Sequence, residues 1–376
     1  MSFLEESRPI ILAAGGTGGH IYPAISVARA LIKRTRNIAI ITDDRGKLFS
    51  QYDLNTDIHY IKASSPSGGL LQKLIGLGLL GAGFVQARSI LKKIQAVAVI
   101  GFGGYPSVPT MCAAAQIGLP TIIHEQNAVM GRANRFLAPT VKKIAVSYDQ
   151  VKGISPKAIS KVIQTGNPVR EEISEIRDKV YTALDPKGKL NVLVFGGSQG
   201  AQILSKVVPS AIAALPKNKR SRVIVTQQCH PGDIDVVKSL YKTANIQSDL
   251  RPYFNDMPDR LSGASLVISR AGASTISELI AAKRPAILVP YPHATDDHQT
   301  ANAVAITSSS AGWCMSEDKF TIERLKLKIQ QLMENPSLLN DAADNIKNLY
   351  KLNAAETLAD ILENTIHKRA NSGAVT

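Results

Sequence analysis

The stretch that decides the fold is PIILAAGGTGGH, residues 9–20. Pro9 to Ala14 is a short apolar run that stops at Gly15-Gly16-Thr17-Gly18-Gly19. From His20 to Lys33 the apolar positions then recur at helical spacing. This reads as strand, glycine turn, helix. The same grammar restarts 181 positions later at NVLVFGGSQGA, residues 191–201, with a helix from Ala201. Two such restarts predict two similar nucleotide-fold domains rather than one long sheet.

Further strands are expected at Asn37–Thr42, Ala96–Ile100, Thr121–His124 and Lys143–Ser147, the last of the first half. In the second half they are expected at Arg222–Thr226, Leu266–Ser269 and Ala286–Val289. Helices are expected at Ser107–Ile117, from Gly272-Ala273-Ser274, at Ile322–Glu334 and at Ser337–Tyr350. Alternating β and α elements imply parallel sheets covered by helices on both faces. Gly166-Asn167-Pro168 closes the first half. The reading therefore places one domain at 1–166 and a second at 167–353, with a helix at Ala354–His367 packing back on the first. The polar tail from Lys368 is expected to fray.

The chain has 376 residues, 44% hydrophobic and 20% charged, which suits two globular cores. Cys112, Cys229 and Cys314 lie far apart with no C-x-x-C pair, which excludes a disulfide framework and a cysteine zinc site and fits a reducing compartment. Of the net charge of +14, residues 1–166 carry +11 (19 Lys+Arg against 8 Asp+Glu) and the remainder +3 (25 against 22). A basic N-terminal half points to an anionic partner. Aromatic residues make up only 5% and no stacking motif is present, so nucleic acid is not the expected partner.

The chemistry should sit at the C-terminal ends of the strands, where open parallel sheets bind ligands. Every glycine turn named above lies there, and the helix that follows offers free N–H groups to a phosphate. In AGASTISE, residues 271–278, small residues open a helix and Glu278 lies one and a half turns in, placed to chelate the two hydroxyls of a ribose. His20 leaves the first glycine turn. His124-Glu125-Gln126-Asn127 ends the strand TIIH, and Asp296-Asp297-His298-Gln299 follows the strand AILVP. The adjacent carboxylates of that last cluster point apart, which favours contacts to sugar hydroxyls over a metal. Together these turns predict a nucleotide-diphosphate substrate held between the two halves.

GGTGGHIYPA (15–24), GGYPSVP (103–109), HEQNAVMGRANR (124–135), TGNPVR (165–170), GGSQGA (196–201), SRAGASTISEL (269–279) and VPYPHATDDHQTANA (289–303) occur in this order. So arranged, they resemble the MurG family, the peripheral bacterial glycosyltransferases that make lipid II for peptidoglycan. The resemblance spans nearly the whole chain. It implies the GT-B architecture, two Rossmann-like domains facing across a cleft, and an inverting reaction with no cofactor and no metal. The implied donor is UDP-N-acetylglucosamine and the implied acceptor is the muramoyl-pentapeptide on undecaprenyl diphosphate. Carried over by position, Thr17, Gly18, Gly19, Asn127, Arg170, Ser198, Phe254, Ala273, Ser274, Thr275, Ile276, Ser277, Glu278 and Gln299 line the donor site. Phe254 stands where the family has an aliphatic residue. For the proton acceptor His20 is the first choice and Glu125 the second.

A dehydrogenase reading has one argument, Asp43 at the end of the second strand, where a ribose-binding acid belongs. GGTGGH is not G-x-G-x-x-G, however, and that reading leaves the second glycine-turn domain unexplained. A UDP-sugar epimerase shares the implied fold and donor but gives no reason for a basic, apolar N-terminal surface. The apolar stretch Gly68–Val85 holds six glycines, Gln72 and Lys73. It falls short of the roughly 20 residues that span a bilayer. Leu70, Leu71, Leu74, Ile75, Leu77, Leu79, Leu80, Phe84 and Val85, flanked by Lys73, Arg88, Lys92 and Lys93, instead predict docking on an anionic membrane surface, which the family resemblance implies is the cytoplasmic face of the inner membrane.

Overall fold

The computed structural model describes residues 8–16, 18–64, 69–197, 201–349 and 353–373, with side chains to residue 368. It divides into two compact units, residues 1–170 with 351–376, and residues 171–350.

In the first unit, β1 (Ile10–Ala13), β2 (Ile38–Thr42), β3 (Asp57–Tyr60), β4 (Ala98–Gly101), β5 (Thr121–Glu125), β6 (Lys143–Val146) and β7 (Val162–Gln164) form one parallel sheet. Its order is β3-β2-β1-β4-β5-β6-β7. Alternate side chains of the apolar strands feed opposite faces, as a strand's period of two requires. Ile10, Leu12, Ile40 and Ile100 meet the helix Gly18–Lys33 on one face. Ile11, Ala13, Ile41 and Val99 meet the helices Leu70–Lys93 and Ser107–Gln116 on the other.

The last helix, Ala354–Gly373, adds Leu358, Ala359, Leu362 and Ile366 to the first of these cores. Arg34 ties it down through Glu356 (2.6 Å), Asp360 (2.7 Å) and Glu363 (2.9 Å). The helix continues past Lys368, where the sequence predicts fraying.

In the second unit, β8 (Leu190–Phe195), β9 (Val223–Gln228), β10 (Gln247–Arg251), β11 (Leu266–Ser269), β12 (Ala286–Leu288) and β13 (Gly312–Cys314) form a second parallel sheet. Its order is β10-β9-β8-β11-β12-β13. Both orders reverse direction beside the first strand of their unit, which is the switch point where such sheets bind ligands. Two Rossmann-like α/β sheets are thus present. The expectation that Lys143–Ser147 ends the first half is corrected by β7, which pairs with it.

The helix Leu70–Lys93 corrects a second expectation. It runs 24 residues, about 36 Å at 1.5 Å per residue, so length does not exclude a membrane span. Its C-terminal half is built into the first unit, with Ala87 and Leu91 in the core. A Cβ at Gly83 would collide with the carbonyl oxygen of Lys62, so that glycine sets the packing distance. Gly78 and Gly81 meet nothing within 4 Å. Leu70, Leu71, Leu74, Ile75 and Leu77 are 54–79% exposed.

Candidate functional site

The most completely built site in the second unit lies where β11 and β12 end. Gly272 precedes the helix Ala273–Ala282 in extended conformation, so the N–H groups of Ala273, Ser274 and Thr275 open its first turn. Ser274 Oγ is buried at this helix start and makes no hydrogen bond. Glu278, at 7% exposure, lies beneath it on the same helix. Ala273 and Ile276 are buried as well, so of the sequence-predicted run Ala273–Glu278 the partly exposed members are Ser274, Thr275 and Ser277.

Gln299, the second residue of the helix His298–Thr307, holds the loops together. Its Oε1 accepts from the backbone N–H groups of Ala271 (3.2 Å) and Tyr291 (3.0 Å). With the oxygen so occupied, the side-chain NH₂ is the group Gln299 offers to a ligand. Asn302 donates to the Ala271 carbonyl at 3.1 Å. Arg270 donates to the carbonyls of Val289 (3.2 Å) and Pro290 (3.1 Å) and pairs with Glu317 at 2.6 Å. Sequence reasoning did not single out Arg270, Asn302 or Glu317. Arg270 and Asn302 sit inside quoted motifs, whereas Glu317 follows β13, a strand that carries no apolar signal.

Phe254 is buried, at 2% exposure, and its ring lies under the guanidiniums of Arg260 (5.0 Å) and Arg251 (5.8 Å). Arg260 is fixed in turn by Asp249 (2.6 Å) and Asp256 (2.9 Å). An aromatic ring in place of an aliphatic side chain therefore gains cation–π contacts here. Asp296 and Asp297 both take left-handed backbone angles (φ 53° and 51°), and His298 Nδ1 bonds the Thr295 carbonyl at 2.8 Å. Among the described residues no three His, Cys, Asp or Glu side chains gather as a metal site.

In the first unit, Gly16 (φ +90°) turns the chain out of β1, and Gly18 and Gly19 begin the helix that carries His20. The His20 ring lies against the turn after β4: a Cβ on Gly103 would sit 3.3 Å from its Cδ2, and one on Gly104 would sit 3.6 Å from its Cε1. Both glycines have positive φ, +88° and +74°, so this close approach depends on them. Arg170 stacks over Tyr22 at 5.0 Å, and Ser26 donates to the Val169 carbonyl at 2.8 Å, so the first helix positions residues 169–170. Thr17 and Ser198 lie outside the described residues.

The HEQN run separates into roles. Glu125, 2% exposed, accepts four hydrogen bonds. Oε1 takes Asn127 N (3.0 Å) and Asn127 Nδ2 (3.3 Å), and Oε2 takes Gly131 N (2.9 Å) and Asn134 Nδ2 (2.9 Å). Asn127 is thereby held in place at the end of β5. His124 is fully buried between the Gly166 carbonyl (3.0 Å to Nε2) and the Gln126 amide nitrogen (3.1 Å to Nδ1). That pairing makes Nε2–H the donor and Nδ1 the acceptor.

Burial, and then the charge of His20, lower the His124 pKa to about 4 against the hydrogen bond to Gly166, which raises it. The folded value lies below the unfolded 6.5, so between about 6.5 and 4 the unfolded chain holds more protons. This contribution is complete above 6.5 and is lost as the pH falls toward 4, a change of roughly 3 kcal/mol. In urea unfolding across that window, His124→Gln should flatten the dependence. Parallel pH curves for wild type and variant would refute the assignment.

Residues 10–146 match the glycosyltransferase family 28 N-terminal domain, and residues 191–362 match the glycosyltransferase family 28 C-terminal domain. A protein of Paramagnetospirillum magneticum is 47% identical over 361 residues, 96% of this chain and 97% of its own. One of Rhodospirillum centenum is 44% identical, over 94% and 93% of the two chains. Both carry the name UDP-N-acetylglucosamine–N-acetylmuramyl-(pentapeptide) pyrophosphoryl-undecaprenol N-acetylglucosamine transferase. The crystal structure of Acinetobacter baumannii MurG aligns with a TM-score of 0.77 at 29% identity, covering 95% of this chain and 99% of that one. With two Rossmann-like sheets and both domain matches in order, the chain belongs to the MurG family within glycosyltransferase family 28.

Proposed function

We propose that this enzyme transfers N-acetylglucosamine from UDP to the 4-hydroxyl of the muramoyl-pentapeptide carried on undecaprenyl diphosphate, with inversion at the anomeric carbon. The observation that carries this reading is near full-length identity of 41–47% to relatives bearing that transferase name. The site geometry supports it. The helix start at Ala273, with the buried Ser274 hydroxyl, suits a diphosphate, because aligned N–H groups favour negative charge there. Glu278 takes the ribose hydroxyls, the Gln299 NH₂ a sugar hydroxyl, and the backbone at Phe254 the uracil. Arg170, Ser198, Thr17, Gly18, Gly19 and Asn127 complete the donor contacts.

In the reaction the acceptor oxygen attacks the anomeric carbon and the bond to UDP breaks, leaving its electron pair on the β-phosphate. His20 takes the proton from the attacking hydroxyl. UDP leaves with its charge met by the helix start and by Arg170, and the chemistry needs no metal. Donor binding belongs mainly to residues 167–353; acceptor and membrane binding belong to residues 1–166. The enzyme works peripherally at the cytoplasmic face of the inner membrane, on an acceptor that cannot leave the bilayer.

The test is incubation with UDP-N-acetylglucosamine labelled in the sugar and the lipid-linked acceptor. Label should move into the lipid phase as UDP is released in equal amount. Label recovered as an isomerised UDP-sugar would instead establish an epimerase. Within the donor site, Glu278→Gln should weaken UDP binding about 10-fold, since charge-assisted hydrogen bonds are roughly twice as strong as neutral ones. A variant that binds UDP as wild type does would return Glu278 to a purely structural role.

A further inference from the structure

Away from the donor loops, on the outer side of edge strand β13, lies a surface cavity of ≈ 630 Å³. That volume is in the range of small-molecule sites, about 300–1,000 Å³. Its wall is part of the helix Ile322–Glu334 and part of the chain after β13. Lys319, Arg324 and Lys328 line it, with Gln331 and Ser316 as neutral polar groups and Met315 and Leu327 as apolar ones.

Neighbouring Lys326 takes Glu323 at 2.8 Å, and Glu317 takes Arg270 at 2.6 Å. Among the described residues, Lys319, Arg324 and Lys328 form no salt bridge. Asp318 is held first by the Ser316 side chain, accepts from the Lys319 backbone N–H and feels the Lys319 charge, but forms no salt bridge with it. Lys328 lies between the ring of Trp313, 5.0 Å from its centroid, and Gln331 Oε1 at 2.9 Å. Burial pulls its pKa below the ordinary lysine value. Three cations converging on one cavity without a carboxylate form an electrostatic trap for an anion, and the apolar wall suits a compact body attached to it.

We propose that this cavity binds a small phosphate-bearing molecule and that its occupancy tunes the donor loops. The route is short. Ser316 lines the cavity, and the next residue, Glu317, holds Arg270, which in turn holds the carbonyls of Val289 and Pro290. A ligand that draws Lys319 and Ser316 inward changes the grip of Glu317 on the loop that Gln299 organises. This second half rests on the donor reading above; the binding itself does not.

Trp313, the one tryptophan in the sequence, reports on the cavity through Lys328, which lies 5.0 Å from its ring centroid. The probe is inorganic pyrophosphate, titrated at constant ionic strength against chloride while tryptophan emission is followed. A saturable change is expected, weakened at least 10-fold in Arg324→Gln and in Lys319→Gln. No change, an equal change with chloride, or an undiminished response in both variants overturns the site. So does a response to phosphatidylglycerol vesicles with none to pyrophosphate, which would make it a lipid contact. For the coupling, UDP affinity is measured with and without pyrophosphate in wild type and Arg324→Gln. Competition at the donor site shifts both proteins alike, whereas coupling through the cavity shifts wild type more; equal shifts overturn it.

Discussion

His20→Ala is expected to lower kcat by 10²–10⁴-fold, the usual worth of a positioned general base, with UDP binding unchanged. The expectation comes from where the ring is held. His20 stands in the first turn of the helix Gly18–Lys33, pressed against the left-handed Gly103-Gly104 turn at the end of β4. It is only partly buried, unlike His124, which is fully enclosed by Gly166 and Gln126. Glu125, the second choice, has both oxygens committed to four donors. In Glu125→Gln, whichever side the new NH₂ takes, it faces two donors that lose their acceptor. A stability loss of about 1–3 kcal/mol is therefore expected, rather than a specific loss of kcat. The two variants are to be compared by single-turnover rate and by urea midpoint. If Glu125→Gln keeps its stability and loses more than 100-fold in rate while His20→Ala does not, the roles must be exchanged.

What the sequence made legible follows from burial. Strands β1, β4, β5, β8 and β11 are covered on both faces, so they appear as uninterrupted apolar runs ending in glycine or polar turns. The strands that were missed are the four edges. DIHY in β3, VIQ in β7, QSDLR in β10 and GWC in β13 are each only partly buried, and without a continuous apolar run they read as loop. The cavity beside β13 was invisible for the same reason.

At the site, the motifs named loops and residues, but the side-chain bonding within those loops has no counterpart in the motifs. On paper His124 and His20 both invite a catalytic reading, and His20 is preferred because it leaves the first glycine turn. Only the hydrogen bonds show that one ties β5 to Gly166 and the other faces a turn. Gln299 was expected at the donor, yet its bridging of Ala271 and Tyr291 depends on a fold that brings residues 28 and 8 positions apart to one oxygen. Pairings at that range leave no local trace in composition or periodicity.

Replacing Leu70, Leu71, Leu74 and Leu77 together with serine should reduce sedimentation with anionic vesicles by at least 100-fold. In the structure the N-terminal half of the helix Leu70–Lys93 shows Leu70 at 79%, Leu71 at 71%, Leu74 at 59% and Leu77 at 56% exposure. Removing a Leu from an apolar environment costs about 1.5–3 kcal/mol when burial is complete, and even half of that for four residues exceeds the 100-fold threshold. Lys73, Arg88, Lys92 and Lys93 are exposed on the same helix, each adding about 1 kcal/mol near an anionic surface. Leu79, Leu80 and Phe84, which the sequence grouped with these leucines, are half-buried, and Phe84 packs on the core. Serine there would test folding rather than docking. Because Ala87, Leu91 and Gly83 anchor the other half of the helix inside the first unit, the exposed half is suited to lie in the interface rather than to cross it. The quadruple variant should still bind UDP and should still glycosylate a water-soluble acceptor analogue, losing only the lipid-linked one. Unchanged vesicle binding would move the docking surface elsewhere, and a shift from dimer to monomer on gel filtration would make the apolar face a self-association surface instead.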